Sequence, residues 1–195
     1  MYPACSKAEM LIKMAEYGFP VPPLMYITSM EWEQKPERCL ERIKTGLGDI
    51  SRFVAVRSSA LTEDGVESSL AGAFHSVLNV PVQSYEDLTA ALDEVKHSLP
   101  DAADQIIIQA MVENVVMSGV LMTRVLDDGS PYYVVNYDDV SGRTDTVTSG
   151  KGTSKTVHIY RGVQPVDFDS PRLLAVVNLA RTLEETFEGE ALDME

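Results

Sequence analysis

The 195-residue chain is 45% hydrophobic and 24% charged, with a formal net charge of −14, so it can bury a real core as one domain or two small ones. That charge disfavours nucleic acid or an anionic membrane as the main partner, because neither gains from contact with such an average surface. The cysteines, Cys5 and Cys39, are too few for a disulfide framework or a cysteine-rich zinc site; they fit a reducing cytoplasm, and neither a signal pattern nor a run of membrane-spanning length occurs.

Along the chain, Ser6-Lys7-Ala8-Glu9 reads as a capping box. A helical stripe of Met10, Leu11, Met14 and Ala15 follows, and Gly18 stops it. Phe19-Pro20-Val21-Pro22-Pro23 is a rigid extended link into a strand at 24–28. A helix over 36–46 begins near Pro36, and short strands cover 53–57 and 74–80. Ser84 caps a helix over 85–99 that turns Leu88, Ala91, Leu92 and Val95 inward. From 105 the texture changes to strand-like runs at 105–112, 117–124 and 131–137, with Asp128-Gly129 as a turn signal. Residues 144–148 and 156–160 flank a loop rich in Gly, Ser and Thr, and Ser170-Pro171 opens a long helix to about 188. The pattern is α+β, with two packed lobes and a boundary near residue 100.

Residues 54–80 carry the strongest chemical signal. An apolar strand runs into Arg57-Ser58-Ser59, then an acidic turn, then Ser68-Ser69-Leu70-Ala71-Gly72-Ala73 and a second strand. The planar guanidinium makes bidentate bonds to phosphate, and a small-residue loop lets backbone N–H groups approach a polyphosphate. A strand followed by a solvated turn is the alternative reading of the same residues. At the other end, Ala191-Leu192-Asp193-Met194-Glu195 alternates apolar and acidic, so a strand there would project Asp193 and Glu195 to one face. Two carboxylates so placed are hard oxygen ligands for Mg²⁺ and would otherwise repel each other; a frayed acidic terminus is the alternative. Ser149-Gly150-Lys151-Gly152 fails as a phosphate-binding P-loop, since Asp145 stands where the first glycine is needed. His75, His97 and His158 show no metal-ligand spacing.

Taken together, these residues resemble the N-terminal nucleotide-binding domain of the pyruvate phosphate dikinase and phosphoenolpyruvate synthase family. The resemblance rests on Ser6-Lys7-Ala8 with Leu11, on Gly18-Phe19-Pro20-Val21-Pro22-Pro23, and on Val56-Arg57-Ser58-Ser59-Ala60 with Ser69-Leu70-Ala71-Gly72. It continues through Gln109-Ala110-Met111-Val112, Ser118-Gly119-Val120 and Leu192-Asp193-Met194-Glu195.

The resemblance implies an ATP-grasp fold of two α+β lobes with a nucleotide cleft between them. Residues 1–104 would form the N-terminal lobe with Arg57 and the phosphate loop, and 105–195 a C-terminal lobe cut at the metal-binding strand. Lys7 and Arg57 would be the catalytic cations on the ATP phosphates. Ser69, Ala71 and Gly72 would close over the phosphates, Gln109, Met111, Val112 and Glu113 would lie beside adenine and ribose, and Asp193 and Glu195 would hold Mg²⁺.

In such enzymes an ATP-derived phosphoryl group passes to a histidine on a separate domain, and another domain handles phosphoenolpyruvate and pyruvate. This chain would then be the nucleotide-binding part of a larger enzyme, with those domains as partners. The same nucleotide domain in a phosphotransferase with another acceptor, an antibiotic or a glucan, is one alternative; a non-catalytic nucleotide-binding module is the other. The family's Gly-rich stretch is replaced here by Asn136-Tyr137-Asp138-Asp139-Val140-Ser141-Gly142.

Overall fold

Ser6 and Glu9 form the expected capping box and start helix α1 (Lys7–Glu16), and Gly18, at φ +85°, carries the chain out of it. The computed structural model describes residues 6–60, 75–148, 150, 153–164 and 168–195. They divide between two compact units, Met1–Met111 and Val112–Glu195.

In the first unit α1 is followed by β1 (Leu24–Thr28), α2 (Ser29–Gln34), α3 (Pro36–Leu47), β2 (Phe53–Ser59), β3 (Ser76–Pro81), α4 (Tyr85–His97) and β4 (Gln105–Ala110). The strands form one antiparallel sheet in the order β1-β4-β2-β3. Every residue of β4 is buried. Its even-numbered positions line up with Ile27, Val54 and Val56 and join Ile43, Leu47, Leu88, Leu92 and Val95 of α3 and α4 in the core. Full burial of each such side chain contributes roughly 1.5–3 kcal/mol. The odd-numbered positions, Gln105, Ile107 and Gln109, face the other way, beside Ser59, Arg57 and Ala55.

Two features depart from the sequence expectation. Helix α2 was not expected, because six residues are too few to show a helical stripe; it is held by a second capping box, Thr28 with Glu31, and by Trp32, whose indole N–H donates to Asp93 of α4 at 2.8 Å. The second lobe was expected to begin at Gln105, yet β4 lies between β1 and β2 in the first sheet, and the division between units falls after Met111. Local texture changes at Gln105, but strand pairing is non-local and decides the boundary.

The second unit comprises β5 (Ser118–Met122), β6 (Tyr132–Asp138), β7 (Lys155–Tyr160), α5 (Pro171–Thr186) and β8 (Asp193–Met194). Its sheet is antiparallel in the order β7-β6-β5-β8. Leu121, Tyr133, Val135, Val157, Ile159 and Met194 share the face that packs on Leu173, Val176, Val177 and Ala180 of α5. Among the described residues no helix is long and apolar enough to cross a membrane.

Gly119 of β5 sits where a Cβ would collide with the Asn136 carbonyl oxygen and come within 2.8 Å of Tyr137 Cα. Gly119→Ala is therefore expected to lower stability by about 1–3 kcal/mol. Urea denaturation checks this, with the midpoint falling and the slope unchanged.

Candidate nucleotide site

Lys7 is the first residue of α1, and the start of that helix is pinned to the sheet. The Ser6 hydroxyl donates to Gln105 Oε1 at 2.6 Å while accepting the Glu9 N–H at 3.2 Å. The Ala8 N–H donates to Ser59 Oγ at 3.2 Å. Ser6, Ser59 and Gln105 are all buried, so these polar groups depend on one another for partners. Ser59 and Gln105 lie on the odd-numbered face of the sheet, and so does Arg57, opposite Ile107. The amino end of α1, carrying Lys7, and the half-buried Arg57 therefore belong to one face of one sheet. Helix dipole, ammonium and guanidinium all favour an anion there, while the Ala8 and Glu9 N–H groups of the first turn are already taken by Ser59 and Ser6.

Gln109 follows on the same face, its amide donating to Pro22 O at 3.4 Å. Met111 donates its N–H to Phe53 O at 3.0 Å, while Val112 and Glu113 are exposed. Segment 109–113 is thus where the chain leaves the first sheet, and the division between units falls inside it. Ser69, Ala71 and Gly72 lie outside the described residues.

In the second unit, Asp193 and Glu195 are exposed and alternate with Leu192 and Met194, as the sequence pattern anticipates; Met194 packs on the core. Asp193 pairs with Met122, which places it on the face opposite α5. By register, Val120, Val134, Asn136, Thr156 and His158 share that face. Asn136 Oδ1 is buried there without a hydrogen-bond partner among the described residues. Asn136 and His158 escape sequence reasoning as neighbours of the acidic pair, because only the strand order unites them.

The acidic pair fits Mg²⁺ of one kind. Among the described residues no group of three or more His, Cys, Asp or Glu could form an all-protein cage. Mg²⁺ is commonly held by one or two carboxylates together with substrate phosphates, and that donor set matches Asp193 and Glu195.

Comparison with known families decides the class. The family model for the AMP/ATP-binding domain of pyruvate phosphate dikinase matches residues 29–166, well over half of the chain. The chain belongs to this family. No curated protein matches it. The two antiparallel sheets with their helices are accordingly an α+β, ATP-grasp-like nucleotide-binding domain. The matched span includes Arg57 and 109–113; Lys7, Asp193 and Glu195 lie outside it.

A tied turn follows β6, in the stretch 136–142 where the resemblance leads one to expect glycines. Asp138 is buried, and its Oδ1 accepts the N–H groups of Val140 at 2.8 Å and Ser141 at 3.0 Å. The Ser141 hydroxyl donates to Oδ2. These donors, the hydroxyl foremost, hold the Asp138 carboxyl well below the usual carboxylate range.

Two outcomes follow from this geometry. Ser59→Ala leaves the Ala8 N–H buried without its acceptor and should cost roughly 1–3 kcal/mol, read by thermal unfolding. Because the folded-state pKa of Asp138 is depressed, its contribution is present above the unfolded carboxylate value of about 4 and is lost as pH falls. Asp138→Asn should therefore unfold more easily than the parent at pH 7, with the gap closing in acid titrations followed by circular dichroism.

Proposed function

We propose that the chain binds ATP with Mg²⁺ and serves as the kinase domain of a phosphoenolpyruvate synthase-like or pyruvate phosphate dikinase-like enzyme in the cytoplasm. An ATP-derived phosphoryl group passes to a histidine on a separate domain. The observation that carries this reading is the grouping of Arg57 with the pinned, Lys7-bearing start of α1 on one sheet face, in a chain of an AMP/ATP-binding family.

In this reading Arg57 holds phosphate oxygens through its fork of N–H donors, and Lys7 adds a compact positive charge beside the first turn of α1. Ser69, Ala71 and Gly72 supply the small-residue loop over the phosphates. Gln109, Met111, Val112 and Glu113 line the base and ribose, with Met111 and Val112 offering apolar contact. Asp193 and Glu195 hold Mg²⁺, which when bound neutralises charge on the phosphate oxygens. Transfer of a phosphoryl group needs positioning and charge neutralisation, with little covalent chemistry from the domain that binds ATP. None of these roles asks for a nucleophile on this chain.

Arg57→Ala should weaken ATP binding on the order of 10- to 100-fold in calorimetry, the equivalent of one lost charge-assisted contact. An unchanged affinity would show that Arg57 does not touch the phosphates. In the protein that carries this chain, an acid-labile protein-bound label from ATP is expected of a phosphohistidine. Label recovered on a small-molecule hydroxyl would assign the domain to a different acceptor.

A further inference from the structure

The second unit converges on one guanidinium. Arg161, just past β7, donates from Nη1 to the Thr123 carbonyl oxygen at 2.7 Å. It also forms a two-pronged pair with Glu184 of α5, at 2.7 Å and 2.9 Å. Its Cζ lies 4.7 Å from the ring centroid of Tyr133, whose hydroxyl donates to the same carboxylate at 3.0 Å. Arg181 of α5 closes the cluster by donating to the Arg161 and Val163 carbonyls. Tyr133, Thr123 and Glu184 are buried.

A part-buried ion pair is weak as a source of net stability, because desolvation offsets its attraction; its better use is to specify one arrangement over others. What it specifies here is visible at Thr123. With its carbonyl taken by Arg161, Thr123 gives its N–H to Leu192 O at 2.9 Å and accepts the Leu192 N–H on Oγ1 at 2.9 Å. The next two residues are β8, which pairs with β5 only through Met194 and Asp193. So short a strand has little register information of its own. A slip of one residue would turn Met194 outward and both acids inward.

We propose that Thr123, held by the Arg161–Glu184 pair, is a positioning residue for the acidic strand. It keeps Asp193 and Glu195 on the outer face and thereby sets the affinity for a nucleotide-bound divalent ion that it does not touch. This rests on the reading of Asp193 and Glu195 as the metal ligands.

The test compares Thr123→Val, Thr123→Ser and Asp193→Asn in the full chain. Mn²⁺ binding in the presence of ADP is followed by electron paramagnetic resonance, and hydrogen exchange of the 192–194 amides is followed by mass spectrometry. Valine preserves volume and removes the acceptor, so exchange should quicken and Mn²⁺ affinity should fall, each by roughly 5- to 10-fold, with most of the fold intact. Serine restores the acceptor and should return both to within about twofold of the parent. If Asp193→Asn weakens Mn²⁺ binding and Thr123→Val does not, the positioning role is overturned and the metal reading stands. If Asp193→Asn binds Mn²⁺ like the parent, or the parent binds none, the metal reading fails and this inference fails with it. A Thr123→Val chain with fast exchange but parental Mn²⁺ affinity also overturns the proposal, since the strand would then be loosened without consequence.

Discussion

The antiparallel pairing of β4 with both β1 and β2 is the constraint on which the first unit depends. It puts Ile106 and Ile108 against α3 and α4, and it turns Gln105, Ile107 and Gln109 to the opposite face. Because side chains alternate with a period of two, the same register that builds the core also aligns Arg57 with Ile107 and Ser59 with Gln105. Helix α1 then docks through Ser6 and Ala8 onto those polar residues. Core and candidate phosphate face are two sides of one pairing decision.

The second unit solves a different problem with fewer means. Its sheet ends in a strand of two residues, and its helix covers only one face. The other face carries Asp193, Asn136 and His158 on neighbouring strands. Polar anchoring through Thr123 and Arg161 supplies the specificity that a two-residue strand lacks. Apolar packing of Met194 opposes a one-residue slip but fixes no hydrogen-bond geometry, since a hydrophobic contact has no direction.

Electrostatics gives the two acidic and basic regions opposite tasks. A chain with a net charge of −14 repels polyanions on average. In the function we propose, affinity for a nucleotide comes from local groups, namely a helix start, Lys7 and Arg57, and from a divalent ion that lets carboxylates take part. This is why a strongly acidic member of an AMP/ATP-binding family is no contradiction.

Much was legible in the residues themselves. Ser6 with Glu9, Ser84 and Ser170 marked helix starts, because caps are local hydrogen-bond problems solved within one turn, and Pro36 marked another because its fixed φ suits the first helical position. The alternation of Leu192 to Met194 foretold that Asp193 is exposed while Met194 packs inward, for the same local reason. Helix α2 was missed because six residues carry too little periodicity. The boundary was expected near 105 and falls after Met111, because nothing in β4 itself says which strands will flank it. The pinning of α1 onto Ser59, the grouping of Asn136 and His158 with Asp193, and the Thr123–Arg161–Glu184 anchor were likewise decided only by tertiary structure. The sequence by itself determined the elements and the chemical types at its candidate site; long-range strand pairing determined which of those types became neighbours.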